Sequence, residues 1–239
     1  MPKNQTLDEF YSTFREEVLC ASDTETSGWT TEDFLTNVMM EYLEEAGEVT
    51  DPVICPFRGY GLQMNAYAIS EDCESVDIFV SIYSESDRPR SVSQADIDAA
   101  IKRAIQLYHK AINDLYTAFQ KDNDTYEFAI TLHQNKDNIK HVRICALTNG
   151  LVKPIALKNI TIGDAEISFS LWDVDRLYRC VTSGKMRETI EIDFEEKFQT
   201  SIPCIENNTS KKYSVYLAII NGDFLGGFFD GIRGWFFVE

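Results

Sequence analysis

The stretch Gly61–Tyr83, GLQMNAYAISEDCESVDIFVSIY, decides how this chain folds. It reads as two apolar strands joined by the short acidic turn Ser70–Ser75. Alternation in the second strand puts Val76, Ile78, Val80 and Ile82 on one face and Asp77, Phe79, Ser81 and Tyr83 on the other. A carboxylate inside such a strand is costly unless it is paired, solvated or bound to a metal. Asn65 is a polar residue at an apolar position of the first strand. The hairpin is therefore an active centre, or it keeps the frame of one.

Two helices precede it. Thr6–Ala21 carries the apolar stripe Leu7, Phe10, Phe14, Val18, and Thr6 with Glu9 makes a capping box. Thr30–Ala46 has Thr30 as N-cap and Gly47 at the position that ends a helix. Glu41 and Glu45 lie one turn apart on it, in line with Phe34 and Val38, at the edge of its buried face. Asp51–Gly59 reads as a proline-containing connection into the hairpin.

After the hairpin, Ser93–Gln120 reads as the longest helix, with Ile97, Ile101, Ala104, Leu107 and Tyr108 in a broad apolar stripe. Asp124–Asn135 alternates like a strand, but Asp124 with Glu127 favours a short helix. His141–Asn149 is a buried strand ended by the turn dipeptide Asn149-Gly150. Ile155–Thr161 is a weaker strand and Glu166–Trp172 a clear one. Asp173 caps a short helix through about Thr182. Thr189–Phe194, Ile202–Ile205 and Tyr213–Ile219 read as further strands, and Asn221–Phe229 as the start of a helix. This order predicts an α/β fold with a mixed central sheet flanked by helices, over residues 1–185. Residues 186–239 form a small β-rich extension, the start of a second domain.

Composition narrows the chemistry. The chain has 239 residues with 39 acidic against 22 basic, a net charge of −17, which repels phosphate backbones at long range. Nucleic-acid contact would need a local basic patch, a divalent metal or a partner domain. The six cysteines are scattered without a CxxC pair, and three histidines are dispersed, so no zinc site is signalled. No apolar run approaches a membrane span and no signal-peptide pattern opens the chain, so a cytoplasmic protein with no membrane contact is expected. No GxGxxG, Walker loop, GxSxG or HExxH occurs. Arg176 and Arg179, with Asp173 and Asp175 nearby, make either a phosphate contact or an internal ion-pair cluster.

The segments EEAGEV (Glu44–Val49), NAYAI (Asn65–Ile69), SVDIFVS (Ser75–Ser81), LWDVDRLYR (Leu171–Arg179) and YSVYLAIINGDFLGGFFD (Tyr213–Asp230) together resemble the N-terminal region of the abortive infection phage resistance (AIPR-type) proteins of bacteria. The resemblance implies a restriction-endonuclease-like module with the PD-(D/E)xK arrangement. There, two carboxylates on adjacent strands hold Mg²⁺, a lysine two residues after the second acid handles the attacking water, and a helix glutamate can add a ligand. Carried onto this sequence, the first acid falls at Asn65, the second at Asp77, the lysine at Phe79, and the helix glutamate at Glu41 or Glu45. An amide and an aromatic thus stand where the motif needs a charge and a proton carrier. The expectation is a non-catalytic scaffold or interaction module of a phage-defence protein, with no cofactor. Its partner would be a protein or another copy, reached through the aromatic run Phe228, Phe229, Trp235, Phe236, Phe237. The alternative is a Mg²⁺-dependent nuclease using Asp77 with Glu41 or Glu45. In the first case Asp77 is expected to be satisfied by hydrogen bonds from Tyr67 or Asn65.

Overall fold

A computed structural model describes residues 6–24, 28–121, 123–153, 157–183, 204–207 and 215–218. The contact pattern divides the chain into two compact units. One comprises Met1–Lys153 with Leu157–Glu188, and the other Pro154–Ala156 with Thr189–Glu239.

The first unit opens with α1 (Leu7–Thr24) and α2 (Thr31–Glu45). Thr6 and Glu9 exchange the two bonds of the expected capping box. Helix α2 ends where Gly47 takes φ +72°, and the Glu48 N–H donates back to the Leu43 carbonyl at 2.8 Å. The chain then makes three antiparallel strands, β1 (Val53–Gly59), β2 (Leu62–Ile69) and β3 (Ser75–Ile82). Strand β1 corrects the expected connection over Asp51–Gly59. Its alternation is broken where the register shifts between Ile54 and Phe57, which is where Pro56 sits. On an edge strand at a bulge, the missing proline N–H costs no ladder bond.

Helix α3 (Gln94–Ala111) crosses from β3 to β4 (His141–Thr148), which lies parallel to β3. It is shorter than the expected Ser93–Gln120. The Asn113 side chain donates to the His109 carbonyl at 2.6 Å, and the chain continues as a 3₁₀ turn over Leu115–Ala118. Helix α4 (Asp124–Gln134) agrees with the helical reading of that segment, although its cap is Asn123, which accepts from the Thr125 N–H at 2.8 Å. Strand β5 (Ile160–Ile162) is shorter than expected and pairs antiparallel with β6 (Ala165–Trp172). Strand β6 lies parallel to β4. Asp173 then caps α5 (Val174–Ser183), accepting from the Arg176 N–H at 2.8 Å.

The result is a six-stranded mixed sheet in the order β1-β2-β3-β4-β6-β5. On one face Phe79, Ala66, Ala68, Cys145 and Leu147 pack into a core with α1, α2 and α5. Helix α3 covers the other face of β2, β3 and β4, toward which Val76, Ile78 and Val80 point by alternation. In the second unit β7 (Cys204–Asn207) and β8 (Val215–Ala218) form an antiparallel pair; β8 lies inside the expected strand Tyr213–Ile219, while β7 overlaps the expected Ile202–Ile205 and runs on to Asn207. The strand expected over 189–194, the helix over 221–229 and the aromatic run lie outside the described residues.

The Asn149-Gly150 turn carries more than a change of direction. Asn149 is buried, accepts from the Ser84 N–H and donates to the Ser84 carbonyl, both at 2.8 Å. Its side chain thus extends the sheet where β3 ends. A Cβ added at Gly150 would lie 2.5 Å from Val92 Cγ2 and 2.7 Å from the Arg90 carbonyl oxygen. The backbone atom cannot swing away. Gly150→Ala is expected to cost about 1–3 kcal/mol through this overlap, seen as a lower urea midpoint at unchanged slope. An unchanged midpoint refutes it.

Candidate functional site

Asp77 is the third residue of β3, and Arg143 is the third residue of β4. The parallel register sets them side by side. The guanidinium grips the carboxylate with two bonds, Nε to Oδ1 at 2.9 Å and Nη2 to Oδ2 at 2.5 Å. Nη2 also donates to the Glu48 carbonyl at 3.1 Å, which ties the pair to the turn after α2. Both side chains are largely covered, with 22% of Asp77 and 23% of Arg143 exposed. Two parallel N–H bonds of this kind are among the strongest polar contacts a protein makes. Asp77 is therefore satisfied by Arg143, not by Tyr67 or Asn65 as the sequence suggested. Arg143 was missed, although its signal was the same as that of Asp77: a lone charge inside an apolar strand.

The other residues of the expected metal site do not assemble around Asp77. The β2–β3 register puts Ala68 opposite Asp77 and Ala66 opposite Phe79. Asn65 is three residues from Ala68, about 10 Å along the strand. Phe79 is buried in the core between the sheet and α2. Glu41 and Glu45 are exposed on α2, and Glu41 accepts from Asn37 Nδ2 at 2.8 Å. Among the described residues, no three His, Cys, Asp or Glu side chains are grouped to hold a metal ion. The donor set beside Asp77 does not fit a divalent cation, because both its oxygens face a guanidinium and the flanking alanines and Phe79 offer no oxygen.

Asn65 belongs to a second polar cluster. At this end of β2 the backbone pairing with β3 stops, and side-chain amides take over. Asn65 Oδ1 accepts from the Ser81 N–H at 2.9 Å, and Gln63 Nε2 donates to the Ser81 carbonyl at 3.2 Å. Asn65 Nδ2 donates to Asp33 Oδ1 at 3.0 Å and Glu32 Oε1 at 3.4 Å, at the start of α2. Glu32 also receives Arg58 Nη2 at 2.6 Å, and Gln63 Oε1 receives Arg103 Nε of α3 at 2.9 Å. Burial pushes the Glu32 carboxyl above its ordinary range, against the pull of Arg58 and Asn65. Gln63 and Asn65, both buried, thereby join helices on the two faces of the sheet through its interior.

The cysteine beside the ion pair is not a nucleophile. Cys145 is buried, and burial pushes its thiol up to about 12; Cys55 is pushed up to about 11 for the same reason. In the native protein a thiol reagent is expected to label exposed Cys20 before either of them. Cys145 labelling as fast as Cys20 without denaturant overturns this.

Arg176 and Arg179 resolve towards internal contacts. Arg176 donates to the Leu171 carbonyl at 2.7 Å and lies 3.8 Å over the Trp172 ring, while Arg179 pairs with Asp175 at 3.3 Å.

Residues 35–179, from within α2 through most of α5, match the family described as abortive infection phage resistance protein N-terminal domain; the match includes the Asp77–Arg143 pair and the Gln63 and Asn65 amides, and begins just after Glu32 and Asp33. The chain belongs to this family. The matched region contains the whole six-stranded sheet. No curated protein and no solved structure matches the chain. Among the described residues, no helix is long and apolar enough to cross a membrane.

Proposed function

We propose that this chain serves phage defence as a non-catalytic scaffold or interaction module on a restriction-endonuclease-like frame. The module would occupy residues 1–185 and act in the cytoplasm, with residues 186–239 beginning a second domain. The family match and the sequence of a helix, then adjacent strands carrying the motif positions, support the frame. One observation carries the non-catalytic reading: Asp77, the only acid left at the motif's strand positions, is held by Arg143 in a two-bond ion pair. A carboxylate so engaged is a structural tie between β3 and β4.

The test incubates the purified protein with DNA and RNA in Mg²⁺ or Mn²⁺, alongside Asp77→Ala and a Glu41→Gln/Glu45→Gln variant. No cleavage is expected, and the double glutamine variant should protect cells from phage as the wild type does. Metal-dependent cleavage that either variant abolishes overturns the reading and restores the nuclease alternative. The two glutamates are exposed, so that variant keeps the test independent of folding. The partner proposed here is a protein or a second copy, engaged through the C-terminal aromatics. Light scattering over a wide concentration range tests the second copy, and a monomer throughout removes it.

A further inference from the structure

The charge of the chain is unevenly spread. It holds 39 acidic residues, yet none occurs between Asp98 and Asp114. This acid-free run forms most of α3, where Lys102, Gln106, His109 and Lys110 are exposed. Their spacing places them along one side of the helix. Among the described residues, neither Lys102 nor Lys110 has a carboxylate partner. Lysine and histidine suit the last turn of a helix, so the charge alone decides nothing.

The hairpin tip beside this stripe supplies a second, independent observation. Gly59 and Leu62 pair across a two-residue turn made by Tyr60 and Gly61, with φ +55° and +76°. Such a turn favours Asn, Asp or Gly at its first position, because a larger side chain is strained at positive φ. Tyrosine stands there instead, and it is 94% exposed. A strained residue that contributes nothing to the core points to contact with something else. Between the tip and α3 lies a groove of about 400 Å³, a size within the range of ligand pockets. Leu62 and Ile105 give it apolar walls, and Tyr60, Gln106, His109 and Lys110 its polar rim.

We infer that this groove binds single-stranded nucleic acid, one base lying against Tyr60 and the flanking phosphates running along the basic side of α3. An aromatic ring offers a stacking face to any base, and lysines along one side of a helix neutralise successive phosphates. The overall charge of −17 opposes approach, but at 0.1 M salt that repulsion is screened beyond about 10 Å while contacts in the groove persist. The inference stands apart from the proposed function, since binding without metal neither requires nor excludes cleavage.

The experiment measures fluorescence anisotropy of labelled dT12 and U12 with the whole chain in EDTA, at several salt concentrations. Binding is expected to weaken with salt, and Tyr60→Asn to weaken it about tenfold, the effect of losing one stacked base. Because asparagine suits the turn, Tyr60→Asn should also match or exceed the wild type in thermal stability, which a structural role for Tyr60 would reverse. Lys110→Gln should lower the salt slope by about 0.7, the single-strand value for one phosphate. A preference for dT12 or for U12 identifies the source. No binding at any salt, binding untouched by both substitutions, or polyglutamate competing as well as the oligonucleotides would overturn the inference, the last in favour of an acidic protein partner.

Discussion

Arg143→Met is expected to lower the stability of the protein by about 3 kcal/mol. The substitution keeps most of the side chain's volume and removes the two bonds to Asp77 and the bond to the Glu48 carbonyl. What remains is a carboxylate between apolar strands without a counter-ion, and the cost of that residue's desolvation is the larger part of the loss. Asp77→Leu should cost less, because a guanidinium on a long stem can turn toward water. The double variant Asp77→Leu/Arg143→Met should recover most of the stability, since two apolar groups can replace an ion pair at little net cost. Urea denaturation of the four proteins checks this as a cycle. If Arg143→Met costs no more than an exposed pair, below about 1 kcal/mol, the pair is not the tie described.

Asn65→Asp is the second large effect. Aspartate keeps the acceptor for the Ser81 N–H but replaces the amide donors to Glu32 and Asp33 with a third negative oxygen. Three carboxylates then crowd one buried corner, which already raises the Glu32 carboxyl through burial. Like charges at this range destabilise the ionised forms, so the loss at pH 7 should reach about 3 kcal/mol or more. The sign of the pH dependence follows. Carboxyls whose folded values are raised add stability while protonated, and that stability is lost as pH rises from the ordinary carboxylate range through the folded values. The variant should therefore approach the wild type near pH 4 and fall away from it toward pH 7. Millimolar Ca²⁺ or Mg²⁺ should restore part of the loss by standing in for the amide protons. A variant as stable as the wild type at pH 7 would show that the amide bridge has no role.

Much of this was legible in the sequence, and the failures have physical causes. The hairpin, the capping at Thr6 and the end of α2 at Gly47 followed from local signals: alternation, a side chain three residues from its partner, and a glycine suited to positive φ. Strand β1 was hidden because Pro56 and the bulge break its alternation, and only pairing with β2 makes it a strand. The end of α3 depended on Asn113 turning back onto the helix, a choice the apolar stripe does not record. Asp77 could be singled out as needing compensation, but naming its partner required knowing which strand lies beside β3. The two strands SVDIFVSI and HVRICALT both place a charge third, between Val and Ile. Read against each other, they contain the pair. The cluster around Asn65 was less accessible, since it joins α2, β1, β2, β3 and α3 at positions remote in sequence.

That shared pattern bears on how the sheet finds its alignment. Sliding β4 past β3 by two residues leaves every apolar side chain facing the correct layer, because strand faces repeat every second residue. Hydrophobicity cannot tell the native alignment from that slip. Charge can: Glu74 meets Lys140 and Asp77 meets Arg143, both across 66 residues of chain. A two-residue slip would set Asp77 beside His141 or Cys145 and strand Arg143 against Ser75 or Phe79. The ion pairs thus favour the native alignment over a two-residue slip, which the apolar alternation alone does not separate.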